Sequence, residues 1–194
     1  MGADQSVSAS FFGPEGPDDG PPRPQVVPWS PESPHLYRFR VLVNDVEAAR
    51  TTFGSSHAEI RGGAFYLNGK ERVLKGVLYQ PHFTGKGGMW PSAEELEADI
   101  AQIKATGFDF IRVHVRPAPI ALLDACDKLG VMVLEEPAIG WVEEHDQLSR
   151  RLRKSVVDMV VRDRRRPSVI LWGLFNEMSG KGYAYVDTSL PPAA

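Results

Sequence analysis

The chain has 194 residues, 42% of them hydrophobic and 24% charged, which suffices for an ordinary domain with a real core and excludes wholesale disorder. Its formal net charge is −3 with acids and bases interspersed, so no electrostatic footprint for nucleic acid is present and no nucleic-acid partner is expected. The single cysteine, Cys126, excludes an internal disulfide and a cysteine-built metal cluster, and its apolar helical setting reads as a small buried thiol.

Residues 1–34 read as a disordered tail, because Gly and Pro crowd stretches such as Gly13-Pro14-Glu15-Gly16-Pro17 and Gly20-Pro21-Pro22-Arg23-Pro24. Order is expected to begin near Trp29. Met1–Ser10 lacks a basic start followed by an apolar stretch, and no run approaches the ~18 apolar residues of a membrane span. No membrane association is expected, and a cytoplasmic location is the default.

From 36 to 78 the pattern is β. Leu36–Val43 alternates and is rich in strand formers, a turn at Asn44-Asp45 follows, and a second strand is predicted through Ala49–Phe53. Phe65–Leu67 and Arg72–Leu74 flank Asn68-Gly69, a hairpin signal because both turn residues must adopt positive φ. These few strands cannot close a sandwich by themselves.

After about residue 90 the period changes. Ser92-Ala93-Glu94-Glu95 is a capping box, and Leu96, Ile100 and Ile103 then share one helical face until Gly107. A strand is predicted at Phe110–Val115, a helix from Pro119 to Leu129 ended by Gly130, and an apolar strand at Val131–Leu134. A third helix carries Leu148, Leu152, Val156 and Met159, with Arg150–Lys154 as its solvated face, and stops before Pro167. Val169–Phe175 is predicted as another apolar strand. Strands apolar on both faces that alternate with amphipathic helices indicate an α/β fold with a parallel sheet covered by helices. With a strand near Val73–Leu78 there are four βα units.

Parallel βα units gather functional groups where the strands end. The second strand of the set ends with Arg112 and His114, which share a face because strand side chains alternate with period two. The third runs into Glu135-Glu136, and the fourth into Asn176-Glu177. A carboxylate at the mouth of an apolar strand is partly desolvated and suited to hold a proton, which is what a general acid in glycoside cleavage must do. Asn176 offers an amide that both donates and accepts, and Arg112 can orient a carboxylate in bidentate fashion. Trp90 and Trp141 sit in loops where an aromatic face can stack on a sugar or simply anchor the loop.

At these residues a family resemblance emerges. Trp29–Tyr37, Phe65–Lys70 and Leu74–Val77 resemble the family-2 glycoside hydrolases, the group of β-galactosidases, β-glucuronidases and β-mannosidases. In that family such segments close an immunoglobulin-like domain and enter a catalytic barrel. Asp109–Arg112, Cys126–Gly130 and Arg162–Trp172 are similar to its barrel elements in the same order, and Asn176-Glu177 resembles its acid/base dipeptide. The resemblance implies a partial TIM (β/α)8 barrel preceded by strands of an incomplete β-sandwich. Its domains are 35–62 as a sandwich remnant, 63–180 as the front half of the barrel, and 181–194 as a loose tail. It also implies retaining hydrolysis of a β-linked sugar or oligosaccharide, with Glu177 as acid/base and Asn176 on the 2-hydroxyl. Arg112, Glu136, His114 and Trp141 would support the substrate.

The chain departs from the family in two places and lacks a third element. The family's Ser-His-Tyr-Pro is here Val113-His114-Val115-Arg116-Pro117, so the family histidine position holds Val115 and His114 stands one residue before it. After Val77, Leu78-Tyr79-Gln80-Pro81-His82 replaces the frequent Asn-Arg-His-Glu. The family nucleophile is a second glutamate on a later strand. Asp187, the only acid after Glu177, reads as loop. The expectation is a chain that by itself hydrolyses glycosides poorly or not at all and can self-associate through exposed sheet edges.

A non-catalytic carbohydrate-binding or assembly module is the competing reading. A phosphate-binding loop is not supported, since Gly85-Lys86-Gly87-Gly88 lacks the Gly-Lys-Ser/Thr that must follow. The five histidines show no short ligand spacing, so no metal and no cofactor is expected.

Overall fold

A computed structural model of the chain describes residues 7–9, 26–80, 91–138 and 147–176. Its centre is a four-stranded parallel sheet of β7 (Gly76–Tyr79), β8 (Phe110–Val113), β9 (Met132–Glu135) and β10 (Val169–Trp172), in the order β10-β9-β8-β7. Helices α1 (Ala93–Ala105), α2 (Ile120–Leu129) and α3 (Leu148–Asp163) lie between successive strands. This is a partial TIM barrel, four strands of the closed cylinder. Two smaller antiparallel sheets accompany it: β1 (Val7–Ala9), β2 (Tyr37–Val43) and β3 (Val46–Phe53), and β4 (Ala58–Arg61), β5 (Ala64–Leu67) and β6 (Lys70–Arg72).

The local signals act as the residue chemistry dictates. Ser92 Oγ accepts from Glu95 N while Glu95 Oε2 accepts from Ser92 N, which satisfies two orphan donors at the start of α1. Gly130 ends α2 at φ 74°, and a side chain there would also run into Pro31 O at 2.6 Å. Asn44 and Asp45, at φ 49° and 62°, make the two-residue turn between β2 and β3.

Several expectations need correction. The stretch 1–34 contains β1, a Val-Ser-Ala segment free of Gly and Pro that pairs antiparallel with β2. Order around Trp29 is as expected: it is fully buried, its Nε1 donating to Asp127 O at 2.8 Å. The boundary drawn between 62 and 63 falls on the turn of the β4–β5 hairpin, so β4, β5 and β6 form one unit. That unit closes the N-terminal end of the parallel sheet, where Trp29, Leu67, Met132 and Ile170 cluster with Leu36, Phe65 and Phe110. Finally, the strands are not apolar and buried on both faces. Val77, Ile111, Val113 and Val133 pack beneath α1 and α2, whereas the alternate residue Leu78 is exposed. The concave face of the sheet is therefore open, as expected of strands that line a barrel interior. Among the described residues no helix is long and apolar enough to cross a membrane.

Candidate active site

The register fixes what reaches the open face. Leu78, Arg112, Leu134 and Leu171 are neighbours across the four strands. The side chain above each of the first three, two residues on, is Gln80, His114 and Glu136. Above Leu171 stands Gly173, whose N donates to Glu135 O and continues the ladder. A side chain at Gly173 would meet Glu136 Cγ at 2.7 Å and Leu134 Cδ2 at 2.9 Å, so glycine there makes room for the glutamate.

Arg112 ties the rim together. Its Nε donates to Glu136 Oε1 at 2.6 Å and its Nη2 to Asn176 Oδ1 at 2.7 Å. His114 Nε2 lies 2.9 Å from the same Asn176 oxygen, and His114 Nδ1 contacts Gln80 Nε2. Glu136, only 2% exposed, has its second oxygen satisfied by Val115 N at 2.9 Å. Val115 sits at φ 52°, a left-handed conformation that β-branched residues avoid, and it ends β8 by turning its N–H toward that carboxylate. Strain of this kind concentrates at sites where the surrounding contacts over-determine the backbone. A buried carboxylate held by a guanidinium and a backbone amide, beside a primary amide and an imidazole, makes a fixed polar rim around an open concavity. Such a rim can orient hydroxyl groups and steady a proton donor.

Four of the residues singled out in the sequence, Arg112, His114, Glu136 and Asn176, thus lie within hydrogen-bond reach of one another or of a shared partner. Glu177 and Trp141 lie outside the described residues, as does Trp90. Sequence reasoning passed over Gln80, Val115 and Gly173. The first carries the same signal that marked His114, an i, i+2 step past a strand residue facing the barrel interior. Val115 acts through its backbone and leaves no such signal.

On the opposite face of β9, Glu135 is fully buried. Its Oε1 accepts from Ala118 N at 2.9 Å and from Arg162 Nη2 at 3.1 Å, while Oε2 accepts from no N–H or O–H donor among the described residues. Burial first, and then the neighbouring Asp163 carboxylate, raise its pKa to about 8. Nearby, Asp127 Oδ1 accepts from Ser168 N and Oγ, and Arg166 reaches Asp127 Oδ2 at 3.1 Å. Burial pushes Asp127 up despite these hydrogen bonds. Both groups stitch helices to the sheet and face away from the open side. Among the described residues no group of three or more His, Cys, Asp and Glu side chains is arranged to hold a metal ion.

The fold agrees with what known proteins indicate. Residues 58–189 match the family described as glycosyl hydrolases family 2, TIM barrel domain, and the chain belongs to that family. It is 31% identical over 170 residues to a β-galactosidase of Aeromonas hydrophila subsp. hydrophila, covering 81% of this chain and 16% of that protein. It is 32% identical over 153 residues to a β-galactosidase of Thermoanaerobacter pseudethanolicus, covering 75% of this chain and 20% of that one. The chain therefore spans a fifth or less of the length of these relatives. Among solved structures it is similar to the apo form of Bacteroides uniformis β-glucuronidase 3, with TM-score 0.68 and 36% identity over 80% of this chain and 20% of that one. It is also similar to a β-galacturonidase from Eisenbergiella tayi bound to galacturonate, with TM-score 0.72 and 26% identity, covering 80% of this chain and 28% of that one.

Proposed function

We infer that the chain supplies the acid/base side of a site that hydrolyses β-glycosides with retention. Glu177 protonates the leaving oxygen. Asn176 holds the sugar beside the reacting carbon, and Arg112 and Glu136 fix Asn176 and the backbone that leads into Glu177. The observation that carries this reading is the double grip of Arg112 on Glu136 and Asn176, which gathers the ends of three adjacent parallel strands on the open side of the sheet. A retaining mechanism needs a second carboxylate about 5–5.5 Å from the first. Glu136 is committed to Arg112 and Val115, so the nucleophile belongs to strands other than these four. The open edges of the sheet at β7 and β10 are where such strands, or a second copy of the chain, would pair.

A small external nucleophile tests this reading. When a phenyl β-galactoside or phenyl β-glucuronide is incubated with the chain and azide, azide attacks the anomeric carbon from the face opposite the leaving group. The C–O bond breaks, and the phenol departs with a proton from Glu177. Azide-dependent release of phenol together with an α-glycosyl azide is expected, with loss in Glu177→Gln. Hydrolysis at ordinary glycosidase rates without azide would instead locate both carboxylates in this chain. Absence of either product from folded protein would contradict the reading.

A further inference from the structure

The donors and acceptors around Asn176 are forced one after another. A guanidinium only donates, so the Asn176 atom 2.7 Å from Arg112 Nη2 is the carbonyl oxygen Oδ1. His114 Nε2 lies 2.9 Å from that same oxygen and must therefore carry its hydrogen. The atom in contact with Nδ1 is the Gln80 side-chain NH2, which only donates, so Nδ1 presents a lone pair and the ring carries its hydrogen on Nε2 alone.

We propose that Gln80 and His114 form a positioning relay that holds the imidazole in its Nε2–H tautomer and thereby gives the Asn176 oxygen, already gripped by Arg112, a second fixed donor. Both lone pairs of Asn176 Oδ1 are occupied, one by Arg112 and one by His114. What Asn176 has left to offer a ligand is its two N–H donors. The group it recognises is therefore an oxygen acting as acceptor, whose own hydrogen must be given elsewhere. Gln80 and His114 touch no substrate in this scheme and act only through Asn176. They occupy positions where this chain departs from the sequence common in the family it resembles. Only the consequence for a sugar rests on the glycosidase reading, since the tautomer stands on hydrogen bonding within the chain.

The test is the protonation pattern of the His114 ring in the full 194-residue chain. Long-range proton–nitrogen correlation on histidine-labelled protein distinguishes pyrrole-type from pyridine-type ring nitrogens, and through-bond backbone assignment identifies His114 without recourse to a variant. In the wild-type chain Nε2 is expected to be pyrrole-type and Nδ1 pyridine-type. Gln80→Glu substitutes an acceptor for the donor, so Nδ1 should gain a hydrogen, and Nε2 should shift to pyridine-type or the ring should become doubly protonated. A pyridine-type Nε2 in the wild-type chain, or a ring unchanged in Gln80→Glu, would overturn the relay. A residue that only fills space would leave the nitrogen pattern unmoved. Failure of the azide reaction with the wild-type tautomer intact would count against the glycosidase reading and not against the relay.

Discussion

The rim around Glu136 and the buried cluster around Glu135 grow from consecutive residues of one strand and handle negative charge in different ways. Glu136 has both oxygens satisfied, one by Arg112 and one by the Val115 amide. Glu135 has one oxygen that accepts from no donor among the described residues, an acidic neighbour in Asp163, and a pKa raised to about 8. Strand pleat alone divides them, since successive side chains point to opposite faces. A strongly shifted carboxylate in a cleft marks a functional-site candidate. Here the shifted carboxylate faces the helices, fully buried, and the one held by Arg112 and the Val115 amide faces the open side of the sheet. Geometry, and not titration, separates the site from the scaffold.

The sharpest way to break this comparison is to remove each arginine in turn. Arg112→Met leaves the buried Glu136 without its cation and releases Asn176, and breaking a buried pair from one side costs several kcal/mol. Because Arg112 is about a third exposed, the expected loss is about 3 kcal/mol, near the low end of that range, as read by the midpoint of chemical denaturation. Arg162→Met should cost less, because Glu135 can take up a proton and keeps the Ala118 amide. An equal or larger loss for Arg162→Met would mean that the helix-side cluster carries the greater electrostatic load.

A smaller effect tests the buried Glu135 by pH. The folded chain holds the Glu135 proton more tightly than the unfolded chain, with a pKa of about 8 against 4.5. The contribution of this group to stability is therefore full below about pH 4.5 and is lost as pH rises from there toward 8. Glu135→Gln should flatten the fall of stability across that window, by on the order of 1–3 kcal/mol at its upper end after allowance for the ion pair with Arg162. If thermal denaturation between pH 5 and 8 shows the same slope for wild type and Glu135→Gln, the burial argument for Glu135 fails.

Much of this arrangement was legible in the sequence because it rests on local chemistry. The Asn68-Gly69 turn, the Ser92/Glu95 capping box and the Gly130 stop are short-range signals, and the structure has all three. The i, i+2 parity of Arg112 and His114 gave the shared face, and both reach Asn176 Oδ1. Strand ends were less legible. The strand predicted to reach Val115 stops at Val113, because Val115 turns left-handed to serve Glu136, a demand set by a residue on another strand. The strand predicted through Phe175 stops at Trp172. The burial of Trp29 under the barrel is equally long-range, its partner Asp127 lying 98 residues away. Gln80 was overlooked because an amide after a short strand looks like any loop residue until the histidine beside it is known.

The central claim is that the open rim, and not the helix-side cluster, meets the sugar. The direct measurement is a titration of the chain with phenyl β-galactoside and phenyl β-glucuronide, followed by side-chain resonances. Saturable shifts are expected at Gln80, His114 and Asn176, with Ala118, Glu135 and Arg162 unmoved. Shifts confined to the second group, or none at the rim in a folded chain with either sugar, would contradict the account.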